Sequence, residues 1–302
     1  MINTRISLFL VFLCLSLFTD HAFAQSRRRM VYDSSIVGDR ITPSVSSVMM
    51  PKTYSEVLLS NTLSTANTYF KSDRSKINLT ERDTYLINTL QVTHGISASG
   101  RLNVGLDISY RMARSDANRT SSPTKVFGND GTGLRNYARG FTSLGVRARY
   151  ALTEKRNFVI QHTFYLPFQK ATNDTQFLGD VRYALNTQFL YNQLIGRKVF
   201  LFAQGDIFIQ FKTDHTPSYY NAPLNVYGTY LLTRNFFPFV QIGMSNTFNK
   251  DVKLSGQSYT YGVGLQYQFT TMFTINAFYN DVFAGKTYSD WRNFSFGVRA
   301  VL

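Results

Sequence analysis

Between Tyr259 and Phe269 the chain changes character at every step. The odd positions carry Tyr259, Tyr261, Val263, Leu265, Tyr267 and Phe269, and the even ones Thr260, Gly262, Gly264, Gln266 and Gln268. A period of two marks a β-strand, whose successive side chains leave on opposite faces. One face suits an apolar medium, the other water or polar partners. The pattern returns from Tyr54 onward and predicts twelve strands, at 54–69, 83–96, 101–114, 140–152, 157–168, 181–195, 199–212, 223–233, 237–248, 258–269, 272–283 and 291–302. Alternation is poorest in the first two.

The gaps between these segments alternate long and short. A long gap follows the first strand, then Ser97-Ala98-Ser99-Gly100, then the long loop 115–139, and so on to loop 284–290. Outer-membrane barrels show this asymmetry, with tight periplasmic turns and longer outer loops. Inside hydrocarbon an unpaired backbone group costs several kcal/mol, so the sheet must close and the first strand must meet the last. The expected fold is all-β, a transmembrane antiparallel up-and-down β-barrel spanning residues 54–302. No composition break suggests a second domain.

Residues 1–24 read as a signal peptide. Arg5 supplies the positive start, Leu8 to Phe18 the apolar core, and Ala22-Phe23-Ala24 a small-x-small cleavage site. Cys14 raises lipidation as a rival, but Leu13 stands where a lipobox wants a small residue. Cleavage leaves a mature chain without cysteine, which excludes disulfides, thiol catalysis and Cys-based metal sites. Residues 25–53 carry no clear period and contain Pro43 and Pro51. They read as a flexible periplasmic leader, with a small plug inside the lumen as the alternative. No later run approaches the ~20 apolar residues of a membrane helix.

The net charge of +14 invites a nucleic-acid reading. An exported chain with dispersed basic residues argues against it; the one tight cluster, Arg27-Arg28-Arg29, reads as a solvated tail. The partners expected are outer-membrane lipid and lipopolysaccharide, the barrel-assembly machinery, and a small solute. The final strand, with Phe294, Phe296, Val298, Ala300 and Leu302 on one face, resembles the signal that machinery recognises, although such signals most often end in Phe.

Strand parity sorts the charged residues. Arg101, Asp107 and Arg111 on strand three, Arg147 and Arg149 on strand four, Arg182 on strand six, Asp206 and Lys212 on strand seven, and Arg299 on the last all fall on the inner face. This basic excess has two readings: a bias toward anionic permeants, or a structural ladder of arginines bonded to Asp, Asn, Gln and Tyr. Asp107 and Arg147 fall at similar heights on adjacent strands, which suits a structural pair. Phe200, Phe202 and Phe208 also point inward and fill space.

No HExxH, nucleophile elbow or Walker loop occurs. An outer-membrane phospholipase needs a His two residues before a Ser, and neither His162-Thr163-Phe164 nor His94-Gly95-Ile96 supplies it. Asp214-His215 imitates half of an outer-membrane protease site, but one acidic-His dipeptide in a polar loop is ordinarily just solvated. The expectation is no enzyme, no catalytic residue, no metal and no cofactor.

The run from Phe141 to Phe168 has a strand, the turn Thr153 to Arg156 and a second strand closing on Leu166-Pro167-Phe168. It resembles the putative transporters grouped with meta-pathway phenol degradation, as do the phrases Ser143-Leu144-Gly145-Val146-Arg147 and Phe294-Ser295-Phe296-Gly297-Val298-Arg299. The likeness covers about residues 141–302 and implies transport without naming a solute. Oligogalacturonate-specific porins resemble the chain in architecture only. The expected function is a channel in the cell outer membrane for small solutes, preferring anions. The alternative is a closed structural or assembly-partner barrel, and the third an outer-membrane lipid-acting enzyme.

Overall fold

The computed structural model describes residues 48–128, 133–169, 177–179, 182–213 and 217–302. The expected signal peptide, residues 25–47 of the leader, Asp214 and His215 lie outside the described residues. The strands are β1 (Ser55–Phe70), β2 (Lys76–Gly95), β3 (Leu102–Asp116), β4 (Leu134–Ala151), β5 (Phe158–Pro167), β6 (Ala184–Ile195) and β7 (Val199–Gln210). They continue through β8 (Tyr219–Tyr230), β9 (Phe236–Phe248), β10 (Leu254–Gln268), β11 (Phe273–Lys286), the two-residue β12 (Tyr288–Ser289) and β13 (Arg292–Val301). Each long strand pairs antiparallel with its chain neighbours, and β1 pairs with both β2 and β13, closing a twelve-stranded barrel. At the seam Ser55 and Leu302 exchange two backbone hydrogen bonds, of 2.9 and 2.8 Å.

Period-two patterning decides which face meets lipid. Val263, Leu265, Val240 and Ile242 stand exposed on the outer surface, while Gln266, Gln268 and Gln241 are buried inside. Outward aromatic rings form two bands, one holding Phe141, Tyr183 and Phe283, the other Tyr150, Tyr230 and Phe269. Nine residues separate Phe141 from Tyr150 along β4, roughly 30 Å of strand and about 23 Å of height at the usual barrel tilt. That height matches an apolar band between interfacial girdles.

Several strands run further at the loop end than periodicity predicts. β2 begins at Lys76 instead of 83, β4 at Leu134 instead of 140, β8 at Tyr219 instead of 223 and β10 at Leu254 instead of 258, while β11 reaches Lys286. Above the bilayer both faces are wet, so ladder hydrogen bonds continue where alternation is no longer required. The expected long gap after β1 is therefore a tight turn at 71–75, closed by Lys71 N–H donating to Ser75 O at 2.9 Å. The poor alternation of β1 and β2 has a local cause: Asn61 and Asn88 face outward, each turning its amide onto a neighbouring strand's carbonyl at 3.5 Å. Over the outer face of β2 and β3 lies a 3₁₀ turn, Pro123–Phe127, which covers Arg114 as it grips Asp116 at 2.8 Å.

Candidate functional site

The lumen is layered. At the end where β1 begins and β13 finishes, residues 48–51 lie inside the barrel. Met50 N–H donates to Asn103 Oδ1 at 2.9 Å, and Asn103 Nδ2 donates back to Met50 O at 2.8 Å. Arg149 donates to Val48 O at 3.1 Å. Met49 completes an apolar cluster with Ala151, Val159, Leu190, Phe200 and Phe202. The phenylalanines of β7 thus pack against chain, not against solute.

Above this floor sit ion pairs. Arg147 meets Asp107 at 2.5 Å with the two side chains 3% and 1% exposed, and Gln91 donates to the same carboxylate at 3.4 Å. Arg299 donates to Glu56 at 2.5 Å. Arg149 places its Nε on Gln161 Oε1 at 2.8 Å. Pairing and hydrogen bonding offset the desolvation that would otherwise make such burial prohibitive.

A belt of carboxamides follows. Gln161 donates to Gln188, Gln188 to Asp206 at 3.2 Å, and Gln204 to both Asp206 oxygens at 3.0 Å. Across β8 to β13, Gln241 donates to Asn225 at 2.6 Å, Asn280 to Gln241 at 3.4 Å and Asn293 to Asn280 at 2.7 Å. Gln188, Gln204, Asp206, Asn225 and Asn280 are half-buried, so the belt borders space a water molecule enters. Beside it run Phe202, Tyr227, Phe278 and Phe239, with successive ring centroids 5.6, 6.3 and 5.4 Å apart. The chain of rings crosses β9 and β10 because Gly262 and Gly264 clear the wall. A Cβ on Gly262 would lie 2.6 Å from Phe278 Cζ, and one on Gly264 would run into the Phe239 ring.

The loop end is narrowed from outside. Leu178 is buried and its carbonyl accepts from Arg111 at 3.2 Å, while Phe177 lies 5.8 Å from Tyr85, itself 5.5 Å from Trp291. Arg182 donates to Pro217 O at 2.9 Å and to Gln210. Buried Asp290 takes Lys76 at 2.6 Å and the Thr68 hydroxyl at 2.5 Å.

Two of the charged residues assigned inward by parity stand elsewhere. Arg101 precedes β3 at the rim, capping Ala151 O at 3.0 Å and lying 5.4 Å from the outward ring of Tyr150. Lys212 follows the end of β7 and is exposed. Parity extends only as far as the strand does. Parity also left out Glu56, since β1 alternates poorly, although its pairing with the last strand brings it beside Arg299. Asp290 lies in a loop, where no period applies.

His94 and His162 both face outward, beside the hydroxyls of Ser55 at 2.9 Å and Thr187 at 3.0 Å. The second ring nitrogen of each makes no hydrogen bond among the described residues. These contacts lack the orienting third group of a hydroxyl–imidazole catalyst.

No family model and no curated protein matches the chain. Among solved structures it is similar to the COG4313 outer membrane channel from Pseudomonas putida F1, with TM-score 0.64 and 14% identity over 87% of this chain and 100% of that one. The beta domain of the Bordetella autotransporter Brka follows with TM-score 0.56 and 15% identity over 82% of this chain and 100% of that one. The translocator domain of autotransporter NalP from Neisseria meningitidis has TM-score 0.51 and 10% identity over 93% of this chain and 95% of that one. At such identities the likeness is one of fold.

Proposed function

We propose that the chain is an outer-membrane channel for small solutes, exported through a cleaved signal peptide, inserted by the barrel-assembly machinery and surrounded by outer-membrane lipid and lipopolysaccharide. One observation carries this: the middle of the lumen is lined by half-buried polar side chains, a wet compartment inside an apolar wall. The resemblance of the run Phe141–Phe168 to the meta-pathway transporters supports a transport role. Charge is a weak basis for selection, because Asp107 and Glu56 neutralise Arg147 and Arg299, and Arg111 and Arg182 grip loop carbonyls. Size and hydrogen bonding are better placed to discriminate than a preference for anions.

The filled floor favours a second reading, a closed barrel without transport. Planar-bilayer recording separates the two. A channel gives steady openings whose conductance rises several-fold when residues 48–52 are deleted. Silence from both proteins, each shown to be folded by heat-modifiable gel mobility, would leave the closed barrel.

A further inference from the structure

The belt and its rings have a chemistry of their own. Asp206 accepts hydrogen bonds from Gln188 and Gln204 and forms no ion pair among the described residues. Its oxygens stand half-buried at the edge of the lumen. Each carboxamide offers two donors and two acceptor lone pairs, more than its partners in the belt consume. Asn280, for instance, gives one N–H to Gln241 and accepts from Asn293. Phe278 reaches over Gly262 with the tip of its ring, stacks on Phe239 at 5.4 Å and stays half-buried, with the half-buried Tyr227 ring 6.3 Å away.

We propose that Gln188, Gln204, Asp206 and Asn280, with the faces of Tyr227 and Phe278, form a binding site for neutral polyhydroxylated solutes of the saccharide class. A sugar ring has hydroxyls around its edge and C–H groups on its faces. Amides and a carboxylate satisfy the edge, and an aromatic face takes the apolar side. A site of paired donors and acceptors rejects ligands that leave its polar groups unmet. Anionic sugars meet the charge of Asp206, which opposes them. Cationic ones must shed the hydration of their ammonium groups against amides and rings, with a single carboxylate that Gln188 and Gln204 already hold.

This site rests on the channel reading for its role in uptake, but binding is measurable without flow. The experiment is calorimetric titration of the folded full-length barrel in detergent with maltotriose, trigalacturonate and a glucosamine trimer, beside liposome swelling with the same solutes and glycine. Maltotriose binds more tightly than either charged trimer, by about tenfold or more, the scale of one well-made hydrogen bond lost. Asp206→Asn and Phe278→Leu each weaken maltotriose binding about tenfold; Asp206→Asn also narrows the gap to trigalacturonate. Equal or tighter binding of a charged trimer overturns the proposal. So does swelling with glycine in a protein that binds no saccharide, which leaves the channel intact. Saccharide binding without swelling by any solute overturns the channel and keeps the site.

Discussion

The two halves of the lumen use the same wall to opposite ends. Toward the termini, inward positions are tightly closed: Phe200 is 1% exposed, Gln266 1% and Arg147 4%. Toward the loops, Gln188, Gln204, Asp206, Asn225 and Asn280 stay half-buried. Both halves alternate in the same way, so alternation does not separate them. Bulk and charge pairing do. Where large rings and paired ions converge with residues 48–51 the barrel is a packed core; where amides line the wall it leaves them partly accessible.

Breaking that contrast starts with the buried ion pair. Asp107→Ala strands Arg147 in the closed half and is expected to cost about 3–5 kcal/mol, read from urea unfolding followed by gel mobility. Asp206→Asn, in the wet half, costs about 1 kcal/mol or less; equal losses would mean that the halves do not differ. Next comes the boundary. Gly264→Leu drives a side chain into the Phe239 ring, an overpacking expected to cost about 1–3 kcal/mol, measured the same way. The smallest effect belongs outside the lumen, where Arg135 and Glu81 meet at 2.7 Å in an exposed pair. Glu81→Ala changes stability by about 1 kcal/mol or less, and high salt removes the difference.

Legibility in the sequence followed the solvent. In β10 and β13 one face meets hydrocarbon and the other a polar interior, so period two writes the strand plainly. Upper β2 and β4 stand in water on both sides, and their extra residues left no pattern to read. Asp107 and Arg147 come together because register places them at one height on adjacent strands. Met49 and Met50 carry no such mark: a short segment entering a barrel has no period, and its contacts depend on closure. Glu56 was obscured by the outward Asn61 on its own strand. Gln188, Gln204, Asn225 and Asn280 sit at inward positions of their strands, but the aromatic neighbours and clearing glycines of the belt belong to five separate strands.

The seam carries one last consequence. Because the opening residue of β1 is stapled to Leu302, a polypeptide lacking even the last few residues of β13 has two raw borders that hydrocarbon cannot satisfy. Closure must therefore await the whole of β13. A tag joined directly at Leu302 would have to hang clear of this staple, which makes the position a delicate one for any fusion.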